Sequence, residues 1–136
     1  MKMNRKRLTV LLLVAVFLLS IGCAKTSQLK GVWVLETSFV YRDANRYQQE
    51  PLTVFMVYSF DGNGNGTETS YADGVSATVT FSYKSVRDEG SFPARDCLLL
   101  DGKTQIPYSF TGGNLVLDIT DESGVRHRLE FCRISD

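Results

Sequence analysis

Turn signals recur along this chain, each only a few residues long and too short to hold a helix or a crossover. They are Asp61-Gly62-Asn63-Gly64-Asn65-Gly66, Asp73-Gly74, Asp101-Gly102, Gly112-Gly113-Asn114 and Glu122-Ser123-Gly124. Gly, Asn and Asp enter the left-handed backbone region at little cost, as tight hairpin turns require. Parallel strands need a crossover of about a dozen residues or more, so connections this short force each strand to pair antiparallel with the one before it.

The segments between the turns alternate as strands do. In Val75-Ser76-Ala77-Thr78-Val79-Thr80-Phe81-Ser82-Tyr83 every odd position is apolar and every even one a small hydroxyl residue, the pattern of a strand with one wet face. Leu52 to Phe60 is apolar at each even position and carries Phe55 and Val57 on the other face, which predicts a central, well-buried strand. Further strands are predicted over 31–41, 66–71, 95–100, 103–110, 114–120 and 125–134. That makes about eight, with Asp43 to Glu50 read as a turn or short helix. A meander of eight strands has two unpaired edges, and closing the sheet removes both. The expected fold is therefore all-β, an up-and-down antiparallel barrel. Alternation points Trp33, Leu35, Phe39, Tyr41, Met56, Tyr58, Val79, Phe81, Tyr83, Tyr108, Phe110, Leu117 and His127 inward.

The N-terminus is different in kind. Met1 to Arg7 carries Lys2, Arg5, Lys6 and Arg7 with no acid, and an apolar run from Leu8 to Ile21 follows. This has the outline of a signal peptide, and the run falls short of the roughly 20 residues that a permanent spanning helix needs. It ends in Leu18-Leu19-Ser20-Ile21-Gly22-Cys23, which resembles the lipobox of bacterial lipoproteins, although Ser20 stands where that box usually has Leu. The resemblance implies removal of residues 1–22 and acylation of Cys23 by palmitate-like chains. Residues 23–28 would be a lipidated tether and residues 29–136 the folded domain. Such an anchor holds a protein on a membrane through many buried methylenes, each contributing about 0.8 kcal/mol. The expected location is the cell envelope; with Ala24 and no Asp after Cys23, a host with two membranes would place the chain in the outer one.

Leu29-Lys30-Gly31-Val32-Trp33-Val34-Leu35, Tyr58-Ser59-Phe60-Asp61-Gly62-Asn63-Gly64, Phe81-Ser82-Tyr83, and Tyr108-Ser109-Phe110 before Leu115-Val116-Leu117 resemble the small bacterial lipocalin-like lipoproteins over nearly the whole mature chain. The most specific element is Gly31-x-Trp33, whose Trp closes one end of the barrel in lipocalins at large. The resemblance implies a barrel of about eight strands with a cavity that can hold a small apolar molecule. The candidate lining residues are Trp33, Tyr58, Phe81, Tyr83, Tyr108 and His127. An eight-stranded barrel is also near the size that side chains just fill, so a packed lumen, with loops or outer wall contacting another envelope component, is the alternative.

Charge and motif content narrow the function further. Four of the fifteen Lys and Arg residues leave with the leader while all fifteen acids stay, so the mature chain is acidic by four, and nucleic acid is not an expected partner. His127 is the sole histidine; no Gly-x-Ser-x-Gly, His-Glu-x-x-His or Cys-x-x-Cys occurs, and neither catalysis nor a cofactor or metal is expected. Asp61-x-Asn63-x-Asn65-Gly66 matches the first half of a calcium loop, but Ala72 stands at the twelfth position where a bidentate acid is needed. A hairpin is the simpler reading, with adventitious calcium on Asp61 and Glu68 as the other. Cys97 and Cys132 are either a disulfide of an oxidising compartment or two free thiols, since their strands are not neighbours in a meander.

Overall fold

The computed structural model describes residues 28–136; the leader, Cys23 and most of the tether lie outside the described residues. Nine strands follow one another: β1 (Gly31–Asp43), β2 (Arg46–Glu50), β3 (Phe55–Phe60), β4 (Asn65–Ala72), β5 (Val75–Asp88), β6 (Arg95–Leu100), β7 (Thr104–Thr111), β8 (Asn114–Thr120) and β9 (Arg126–Ser135). Every pairing is antiparallel, and β1 with β9 closes β1 and β3 through β9 into an eight-stranded barrel.

The ninth strand corrects the reading of Asp43 to Glu50 as a turn or short helix. β2 pairs with the second half of β1, from Ser38–Glu50 to Asp43–Arg46, while β3 pairs with the first half, Gly31–Val34. β2 and β3 thus lie end to end along one edge of β1, interrupted at Pro51, whose missing N–H cannot continue a ladder. Asp43 seeds the turn, its Oδ1 accepting from the backbone N–H groups of Asn45 and Arg46 at 3.0 Å each. β2 is polar and largely exposed, so it has no alternation to betray it. For the same reason Leu52 to Phe60 is not a uniformly buried central strand: Leu52 lies before β3 and is 46% exposed, and Phe55 is exposed against Tyr71.

Two further expectations fail through geometry. In the pairing of β1 with β9, Leu35 faces Phe131 but Thr37 faces Glu130, so Glu36 is an extra residue, a bulge that reverses the alternation beyond it. Ser38 and Val40 are buried as a result, and Phe39 and Tyr41 point outward rather than into the barrel. β5 is shared along its length: Val75–Ser82 pairs with β4 and Tyr83–Asp88 with β6. This stagger carries the upper half of β5 past the packed core, and Val79, expected inside it, is 59% exposed.

The core is a mesh of rings. Tyr58 stacks on Phe60 and meets Phe81 and Phe131 edge-on at 6.1 and 5.4 Å; Phe60 meets Tyr83 at 4.9 Å. Gly66 makes room for it, because a Cβ there would lie 2.6 Å from the Phe81 ring. Leu98, Leu115 and Leu117 fill the opposite wall.

Candidate functional site

The barrel is plugged at the Trp33 end, and at the other end a recess opens where β1 and β3 separate. Trp33 Nε1 donates to the Leu29 carbonyl at 2.7 Å, and the Arg133 guanidinium sits 4.7 Å over the indole while also donating to the Gln28 carbonyl. A buried indole N–H with a partner and a cation on its face makes a firm plug.

Five of the six candidate lining residues belong to this packed region. Trp33, Tyr58, Phe81, Tyr83 and Tyr108 are each no more than 8% exposed. The tyrosine hydroxyls have partners: Tyr58 donates to Glu68 Oε2 at 2.6 Å, Tyr83 accepts from the Gly62 N–H at 3.1 Å, and Tyr108 shares a hydrogen bond with Ser85 at 2.7 Å. Burial first, then the Glu68 carboxylate, holds the Tyr58 hydroxyl far above its usual range, so it stays a neutral donor.

His127 alone of the six reaches the open end. It pairs with Val40 on β1 and Ile119 on β8, and it borders a cavity of about 370 Å³ where β1 and β3 part company beyond Val34–Val57. Leu35, Leu52, Val54, Met56 and Leu129 form its apolar walls, and Ser38, Glu50 and His127 one polar edge. His127 Nδ1 lies 2.8 Å from Glu50 Oε1 and Nε2 lies 2.9 Å from Asp121 Oδ2; Ser38 Oγ donates to the same Glu50 oxygen at 2.9 Å. The hydrogen bond to Asp121 raises the His127 pKa, burial opposes that, and Glu50 reinforces it. Burial acts to raise Glu50, but its hydrogen bonds to His127 and Ser38 prevail and hold it below the usual range. Asp121 is held lower still, by the Ser123 hydroxyl and then His127.

These contacts decide what the histidine can do. Both ring nitrogens are engaged by carboxylates, so in its protonated form the ring donates from both and keeps no lone pair for a metal or a proton. Its two contacts tie the β2 end, β9 and the β8–β9 turn together at the rim. Sequence reasoning missed Ser38, Glu50 and Asp121: Glu50 sat in a segment read as a turn or short helix, Asp121 fell between a predicted strand and the Glu122-Ser123-Gly124 turn, and Ser38 was hidden by the bulge. Glu50 and His127 are 77 positions apart, and no local pattern joins them.

The remaining candidates lie elsewhere. Asp61 is occupied as a turn staple, its Oδ1 accepting from the Asn63 and Asn65 N–H groups at 2.6 and 3.0 Å, while Glu68 turns inward to Tyr58. The two do not share a site. Cys97 is buried on β6, its thiol pushed up by burial, and Cys132 is half-buried on β9; both are free thiols. On the outer wall Phe39 and Tyr41 meet Tyr47 edge-on at 5.2 and 5.8 Å, with Arg126 4.5 Å over Tyr41 and Arg128 5.6 Å over Tyr47.

Fold and site together define a closed antiparallel β-barrel, packed at the Trp33 end, with a recess between β1, β3 and β9 at the other and the Glu50–His127–Asp121 cluster on its rim. Comparison with protein-family models, curated proteins and solved structures yields no match.

Proposed function

We propose that the chain is a lipid-anchored, lipocalin-like protein of the cell envelope whose barrel holds a small hydrophobic molecule in its mouth. The observation that carries this reading is the cavity of about 370 Å³, with apolar walls and one edge of hydrogen-bonding groups. Ligand sites are commonly concave, mainly apolar and about 300–1,000 Å³, with a few polar groups that orient the guest. The ligand therefore rests on Leu35, Met56 and Leu129, with its polar end at Glu50, and the aromatic residues below form the floor. Binding, without catalysis, cofactor or nucleic acid, is the activity assigned.

The anchor rests on the leader and on Cys23. Five residues' advance from Cys23 to Gln28 spans at most about 18 Å. Because Gln28 touches Arg133 beside Trp33, anchoring there sets the plugged end toward the membrane and turns the mouth away. In a host with two membranes the outer one is the assigned site. A second reading, an interaction protein with no small ligand, is favoured by the close packing of Trp33, Tyr58, Phe81, Tyr83 and Tyr108.

Native mass spectrometry of the protein exposed to envelope lipid extract separates the two. The ligand reading predicts a reproducible adduct that Leu129→Trp, by filling the cavity, abolishes. An adduct-free spectrum with every extract, or an adduct indifferent to Leu129→Trp, defeats it. Labelled fatty acid should mark the wild type and not Cys23→Ser; an unlabelled wild type removes the anchor.

A further inference from the structure

β5 has a partner on both sides only in part. Val75–Ser82 is paired to β4 and pairing with β6 begins at Tyr83, so among the described residues no strand runs along the other edge of Val75–Phe81. In the two-residue hairpin the flanking pair, Ala72 and Val75, exchanges hydrogen bonds, so odd-numbered residues of this half aim their backbone at β4 and even-numbered ones aim away. Two contacts fix that parity independently. Tyr83 N donates to the Gly64 carbonyl on the β4 side at 2.8 Å. Ser82, on the other side, donates from N to Asp101 Oδ1 at 2.8 Å and accepts from Asp101 N at 2.9 Å. The β6–β7 turn thus closes the edge at Ser82. Ser76, Thr78 and Thr80 remain, each presenting an N–H and a carbonyl that no described strand takes up.

Natural sheets blunt such an edge with lysine, proline or a bulge. None occurs here: Val75–Tyr83 has no charge and no proline, and its eight residues from Val75 to Ser82 pair with β4 in unbroken register. We infer that this edge pairs with the same edge of a second copy of the chain, antiparallel, about a two-fold axis at Thr78. In that register Ser76 lies opposite Thr80 of the other copy and Thr78 opposite Thr78, and every free backbone group finds a partner. Ala77 comes beside Val79 and Val75 beside Phe81, so apolar meets apolar on the luminal face and hydroxyl meets hydroxyl outside. Other registers do worse. An axis at Ala77 leaves Thr80 facing Gly74, and an axis at Val79 drives Ser76 against Ser82, which Asp101 already holds. A shift by one residue aims free groups at groups already bonded to β4. The edge strand itself carries no charge, and Lys103 of the β6–β7 turn flanks it only beside Val79 and Phe81, so two copies meet across Ser76 to Thr80 without like charges on the paired strands, which favours a second copy over a charged partner.

The test uses the full-length protein extracted in mild detergent. A hydrogen-bonded antiparallel pair places Cα atoms about 5.5 Å apart, within the span that a disulfide bridges. Thr78→Cys should therefore run mainly at twice the monomer mass under non-reducing conditions and return to monomer with reductant. Wild type gives the background from the natural cysteines, and Thr120→Cys, exposed on β8, gives that from random collision. Thr78→Lys, which sets like charges against each other at the axis, should halve the protein mass read by light scattering. Cross-linking of Thr78→Cys no greater than that of wild type or Thr120→Cys overturns the inference, and so does a wild type of monomer mass.

Discussion

The two ends of the barrel are built from the same inward-facing rows and have opposite fates. On β9, Phe131 and Leu129 point the same way two residues apart, yet Phe131 is wholly enclosed by rings from β3 and side chains from β8, whereas Leu129 borders empty space. The difference lies in what the neighbouring strands supply at each level. Near Phe131, β1, β3, β5 and β8 all contribute large side chains. Near Leu129, β1 has swung Ser38 inward, β3 has parted from β1, and β5 has passed beyond the core. Packing one end to interior density frees the other to be hollow and polar at its rim without losing the fold.

Truncating each side gives the sharpest measure of that contrast. Phe131→Ala should cost about 3–5 kcal/mol in urea unfolding, as full deletion of a core ring does, while Leu129→Ala should cost no more than about 1–2 kcal/mol. Equal losses would mean that the mouth is core after all. At the plug, Trp33→Phe removes the hydrogen bond to Leu29 and weakens the contact with Arg133. A loss of about 1–2 kcal/mol is expected, with the cavity unaffected; a change in ligand uptake would show that the two ends are coupled. The smallest effect belongs to the rim. The raised pKa of His127 makes its contribution complete below the usual histidine value and lost as pH climbs through the elevated one. The lowered carboxylates of Glu50 and Asp121 contribute above their usual range and fade as pH falls through the depressed values. The clamp is thus strongest at about pH 5–6. The Tm advantage of wild type over His127→Gln should peak there and shrink by about pH 9; an advantage constant across that range would remove the charge from the clamp.

Turn chemistry was readable from residues alone, since Asp73-Gly74 and Asp101-Gly102 adopt the positive φ that their types allow, and those turns dictated antiparallel order. The aromatic core was equally open to view, because Tyr58, Phe60, Phe81, Tyr83 and Phe131 fall at regular alternation within unbroken strands. What escaped depended on partners distant in sequence. Glu36 bears no local mark of a bulge; only the register against β9 reveals it. Val79 alternates as well as Phe81 does, and only the stagger between β4 and β6 leaves one exposed and the other buried. Arg46 to Glu50 forms a strand because β1 offers an edge, not because its own residues prefer one. The rim clamp joins three such places, so it lay beyond any reading of local pattern.

Glu36 also lets β1 carry one residue more than its partner strand. The ladder with β9 resumes at Thr37–Glu130, so a chain lacking Glu36 would meet β9 in the same pairs and keep Ser38 and Val40 inward. Keeping Glu36 but forcing it into the ladder opposite Glu130 would instead slip every later pair by one residue, turn Phe39 and Tyr41 inward and carry Ser38 out. The local bend that absorbs a single residue thus sets which row of β1 lines the vessel.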